Sequence, residues 1–141
     1  FHTMRSMLLP VLYLMGSEVP KADVYHAICT GYGGLLACLG GHVYKKKVLL
    51  TEHGIYTRER EEEIIRAKWV QPAFKKQWIS FFYMLSDIIY TRAFLVSALF
   101  TNAMHAQIQM GCDKGKCRVV ENGINYERLS PNSIEKGRRM G

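Results

Sequence analysis

Lys47-Val48-Leu49-Leu50-Thr51-Glu52-His53-Gly54-Ile55-Tyr56-Thr57-Arg58-Glu59-Arg60 passes through three local structures in a short span. Lys47 to Thr51 is an apolar, partly β-branched run that suits a buried strand. Glu52 to Tyr56 is polar and contains a glycine, so it reads as the loop at that strand's end. Thr57 then caps a helix that starts at Arg58 and carries Glu59 to Glu63, acids that suit a helix's first turn.

The same strand–loop–helix unit recurs on both sides. Upstream, Asp23 to Cys29 is a short apolar run. Thr30-Gly31-Tyr32-Gly33-Gly34 follows it, and Leu35 to Tyr44 continues as a helix. Before that come a turn at Gly16 to Pro20 and an apolar helix, Met4 to Met15, with a kink or late start at Pro10. Downstream, Lys68 to Ser86 reads as a helix restarted at Pro72, and Ile88-Ile89-Tyr90-Thr91 as a third strand. Ala93 to Met110 reads as a helix ended by Gly111. A fourth strand begins at Cys117 and runs to about Glu121.

Strands alternating with helices predict an α/β domain with a parallel sheet of four strands, near residues 23–29, 47–52, 88–91 and 117–121. Right-handed crossovers place every strand's C-terminal end on one edge, where ligands of open α/β sheets bind. The residues to watch there are Thr30 to Gly34, Glu52 to Arg60, Thr91-Arg92 and Asn122 to Asn125.

Each candidate has a plain alternative. Gly31, Gly33 and Gly34 would let a backbone approach a phosphate at a helix N-terminus. The spacing is neither a dinucleotide fingerprint nor a P-loop, and a tight strand–helix turn explains it equally. His53 can hydrogen-bond a sugar hydroxyl or be a satisfied structural histidine. Arg58 and Arg60 can pair with phosphate, or simply with the neighbouring glutamates on a solvated helix start. His26, inside a strand, reads as a core or rim residue. The stripe Trp78, Phe81, Phe82 and Leu85 has helical spacing and reads as core. Asn122-Gly123 after a strand is, by itself, a turn.

With 141 residues, 48% hydrophobic and 22% charged, the chain is one ordinary globular domain. Its net charge of +7 favours anionic partners, but the basic residues are scattered and unlike a nucleic-acid stripe. Of the four cysteines, Cys29 and Cys38 lie in apolar runs as small hydrophobes. Cys112 and Cys117 are too widely spaced for a zinc knuckle, so no metal site and a reduced, cytoplasmic setting are expected. The longest apolar stretch, Trp78 to Phe100, is broken by Asp87 and Arg92, which argues against a transmembrane helix. Both termini look cut, so the chain is expected to be a fragment.

Val119-Val120-Glu121-Asn122-Gly123-Ile124-Asn125 resembles the strand-and-turn signature closing the N-terminal domain of retaining GT-B glycosyltransferases. Ser86-Asp87-Ile88-Ile89-Tyr90-Thr91 is similar to another of their strands. Ala22 to Ala27, Thr30-Gly31-Tyr32, Gly34-Leu35-Leu36 and above all Leu50 to Arg60 resemble the PelF-like glycosyltransferases of Pel exopolysaccharide synthesis. The likeness covers nearly the whole chain.

The resemblance implies a Rossmann-like half of a GT-B fold. Residues 1–125 would be part of the acceptor-side N-terminal domain. Residues 126–141 would begin the linker to a C-terminal donor domain. It implies retaining transfer of a hexose, with UDP-glucose as the expected donor, to a growing polysaccharide, without a metal or other cofactor. His53 would contact the transferred sugar. Gly31, Gly33, Gly34, Glu52, Arg58, Arg60 and Asn122 would line the donor or substrate site. Association with a membrane polysaccharide-export complex is expected, and the fragment alone should be inactive. The rival expectation is a non-catalytic Rossmann-type module that binds a nucleotide or sugar phosphate.

Overall fold

The structure, a computed structural model, describes residues 2–123. Ile124, Asn125 and the expected linker lie outside the described residues. Helix α1 (His2–Met15) leads to strand β1 (Val24–Ala27), helix α2 (Tyr32–Val43) and strand β2 (Lys47–Glu52). Two helices follow, α3 (Tyr56–Arg66) and α4 (Pro72–Arg92). Strand β3 (Leu95–Ala98), helix α5 (Thr101–Gln109), a short 3-10 turn at Lys114–Lys116 and strand β4 (Cys117–Val119) complete the order.

The expected parallel four-stranded sheet is present, in the order β1-β2-β3-β4. Ala27 pairs with Leu50, Glu52 with Ala98, and Ala98 with Val119. Side chains alternate across the sheet with period two. Tyr25, Ala27, Val48, Leu50, Val96 and Cys117 therefore share one face, and all are buried. They pack against Ala37 and Cys38 of α2, Ile89 and Tyr90 of α4, and Met104 and Ile108 of α5. A sequential strand order with crossovers of one hand puts the connecting helices on one face. A second cluster, Met7, Ile64, Val70, Trp78, Phe81, Phe82 and Leu85, joins α1, α3 and the first half of α4. Trp78 and Phe82 stack with centroids 5.9 Å apart, so the aromatic stripe is core, as its spacing indicated.

The opposite sheet face carries exposed Val24, His26, Lys47 and Arg118. His26 sits on it as a rim residue. Its Nε2 lies 2.8 Å from Thr51 Oγ1, which is 2.7 Å from Ser97 Oγ.

The third expected strand is a correction. Residues 88–91 form the last turn of α4, and the strand is Leu95–Ala98. Ile88-Ile89-Tyr90-Thr91 is β-rich in composition. However, Ile89 and Tyr90 continue the helical row of Phe82, Leu85 and Ser86 into the core, and packing overrides propensity. The following helix accordingly starts at Thr101 rather than Ala93. Thr91 and Arg92 move from the C-terminal edge of the sheet to the opposite one, where Ala93 and Phe94 lead into β3. Thr57 is not a cap, because α3 begins at Tyr56 and Thr57 is buried within it.

Candidate functional site

The C-terminal strand ends bring four loops together: Ile28 to Gly31, His53 to Ile55, Leu99-Phe100, and Val120 to Gly123. Helices α2, α3 and α5 all start there, and none has a side-chain cap from its own N-cap residue. Their first N–H groups and positive dipole ends converge on one edge.

Two of those loops are locked together by a glycine. Gly31 has φ +88°, the left-handed region, and a Cβ there would stand 2.6 Å from Tyr56 Cε1. Gly34 is needed for another reason: its Cβ would meet Ile89 Cδ1 at 2.6 Å, so it permits close packing of α2 on α4. Gly33 differs from both. It is exposed, and its Cβ would meet only Cys29 Sγ at 3.9 Å. Nothing among the described residues requires a glycine at this position.

Glu52 does not face solvent at this edge. It is 1% exposed and its carboxylate is held by the protein's own donors. The Tyr90 hydroxyl donates at 2.7 Å, Gln107 Nε2 at 2.9 Å and the Thr30 hydroxyl at 3.4 Å. The backbone N–H of Tyr56, the first residue of α3, also donates to it. Glu52 therefore anchors both loops from beneath, and is not placed to touch a ligand. Burial pushes its carboxyl above the usual glutamate range, and the four donors pull it back only in part. Beside it, Ser86 donates to Thr30 Oγ1 at 3.1 Å and bonds to Thr57, which extends the buried polar network into α4.

His53 is exposed in the loop after β2, one residue beyond the buried anchor. Arg58 is exposed and makes no ion pair among the described residues. Arg60 is half-buried, pairs with Glu63 at 2.5 Å, and lies over the Tyr56 ring at 5.3 Å. Arg60 thus makes the glutamate pairing of the plain alternative, and Arg58 stands on the solvated helix start without it. Asn122 is exposed at the end of the β4 segment. Sequence reasoning missed Leu99, Phe100 and Thr101 at this edge because it placed the third strand seven residues early, at 88 instead of 95. Phe100 is exposed there, which only the tertiary structure shows. Among the described residues no group of three His, Cys, Asp or Glu side chains is placed to hold a metal ion. No helix among them is long and apolar enough to cross a membrane.

A parallel sheet with helix N-termini and a glycine loop converging on its C-terminal edge defines a Rossmann-like half-domain. The chain belongs to the family described as a domain of unknown function, DUF3492, which matches residues 1–115. That domain is associated with glycosyltransferase-like proteins. No curated protein matches the chain.

Proposed function

We propose that this chain is the acceptor-side Rossmann-like part of a PelF-like retaining glycosyltransferase. In this reading the complete protein transfers a hexose, with UDP-glucose as first candidate donor, to a growing exopolysaccharide in the cytoplasm. The observation that carries the reading is the pairing of two loops at the strand C-termini. The Gly31–Gly34 loop, opening an uncapped helix, lies beside the His53 loop, and the Gly31–Tyr56 contact holds them together.

The chemistry follows from that pairing. A diphosphate needs N–H donors and a positive field, which the start of α2 supplies through the unobstructed backbone at Gly33. Departure of the nucleoside diphosphate leaves an electron-poor sugar carbon. Transfer then depends on holding the sugar ring in place. His53 is suited to this because an imidazole both donates to and accepts from a hydroxyl. Arg58 adds a free guanidinium at the rim. The second half of the cleft, with the donor's base, would come from another domain.

The test is turnover of a panel of UDP- and GDP-sugars by the whole protein that carries this chain, with the anomeric configuration of the product read by NMR. Transfer with retention supports the reading. Saturable nucleotide-sugar binding without turnover would instead establish the non-catalytic module.

A further inference from the structure

Cys112 and Cys117 are distant from a zinc-knuckle spacing, yet the fold brings their sulfurs to 3.3 Å. Both are buried, at 3% and 4% exposure. Cys112 follows Gly111, whose φ of +101° turns the chain sharply after α5. Asp113 to Lys116 then make a tight 3-10 turn, fixed by Gly115 N–H donating to Asp113 Oδ1 at 2.8 Å. Cys117 opens β4, which has three residues and, among the described residues, pairs only with β3. The thiols therefore face each other across a turn whose geometry is set by other bonds.

We propose that Cys112 and Cys117 are a dithiol site that closes to an intramolecular disulfide and so fastens the edge strand β4 to the end of α5. Two sulfurs in van der Waals contact need to approach by only about 1.2 Å to reach a disulfide bond length. Four residues intervene, all in a turn, so closure asks little of the rest of the fold.

The oxidant is a low-molecular-weight disulfide such as oxidised glutathione. Both thiols are buried, so attack on the oxidant begins once the short strand lifts from β3 and uncovers one of them. That sulfur loses its proton, bonds to one sulfur of the oxidant and expels the other as a thiolate. The second cysteine sulfur then loses its proton, attacks the first and displaces the remaining small thiolate. Two protein thiols are oxidised, one small disulfide is reduced to two thiols, and the released protons pass to the leaving thiolates.

Closure acts where β4 is held. Beyond the strand, Val120 N–H donates to Ala98 O at 2.8 Å, and the chain runs on to the exposed Asn122. A disulfide at the start of β4 lengthens the lifetime of that attachment.

The whole protein is equilibrated in glutathione buffers of graded potential, native and in urea. Free thiols are then trapped by acid and alkylation and mapped by mass spectrometry. The expected result is a Cys112–Cys117 linkage with Cys29 and Cys38 still alkylated. Its equilibrium constant should be about tenfold or more larger in the native protein than in urea. Hydrogen exchange of Val119 and Val120 should slow on oxidation. Cys112 and Cys117 both remaining reduced, or ending as separate glutathione adducts, overturns the proposal. So does a linkage no more favourable in the native protein than in urea, or unchanged exchange at Val119 and Val120 despite complete linkage. The wild-type titration requires no variant to fold.

Discussion

The Tyr90 hydroxyl donates to the Glu52 carboxylate across 2.7 Å, joining the last turn of α4 to the end of β2 inside the core. Tyr90 is 1% exposed and its own ionisation is pushed up by burial and by Glu52. Deleting the hydroxyl leaves a buried carboxylate short of its best donor. Tyr90→Phe should therefore cost about 1.5–3 kcal/mol, read as a shift in urea midpoint at constant slope. A cost below about 0.5 kcal/mol would mean that the carboxylate does not rely on Tyr90.

Glu52 also makes stability depend on pH. Its folded carboxyl is raised above the unfolded one, chiefly by burial. A raised carboxyl contributes its full stabilisation below the unfolded value and loses it as pH climbs through the folded value. Stability attributable to this group should fall as pH rises above about 4.5 and keep falling through the raised folded value, and Glu52→Gln should remove that fall. Denaturation midpoints of both proteins across this range provide the check. Parallel curves would show that Glu52 does not titrate there.

Gly31 and Gly33 are two residues apart and should behave oppositely. Gly31→Ala forces a side chain into a left-handed conformation against the Tyr56 ring, and should cost about 2 kcal/mol or more. Gly33→Ala meets only Cys29 Sγ, at ordinary contact distance, in a helix's first turn, and should change stability by less than about 0.5 kcal/mol. If a diphosphate approaches there, Gly33→Ala should weaken nucleotide-sugar binding without moving the thermal melt. Calorimetric binding beside a melt of each variant separates the two effects. Equal donor affinity in Gly33→Ala would remove this loop from the site.

His53 is exposed and contributes little to the core. His53→Ala in the whole protein should leave the melt intact and lower kcat on the order of 10²-fold, as for the loss of one well-placed polar interaction. Unchanged kcat would take His53 out of the site. A collapsed melt would make it a structural histidine.

The sequence by itself determined the layered α/β class, the parallel order and the edge where loops meet. Those depend on local periodicity and on the hand of crossovers, which short stretches already encode. Lys47 to Thr51 and Glu52 to Tyr56 were legible as strand and loop because apolar and polar residues segregate there, although the strand takes in Glu52 and the helix already starts at Tyr56. Only the tertiary structure decided that Ile88 to Thr91 is helical, since the core contacts of Ile89 and Tyr90 come from α2 and the sheet rather than from sequence neighbours. The same holds for the site. Glu52 and His53 are adjacent in sequence and equally polar, yet one is buried and held by Tyr90 and Gln107, and the other is exposed. The donors that bury Glu52 lie 38 and 55 residues away, and no local pattern announces them. Cys112 and Cys117 meet for a similar reason: the turn at Gly111 and the pairing of β4 with β3 bring the two sulfurs together.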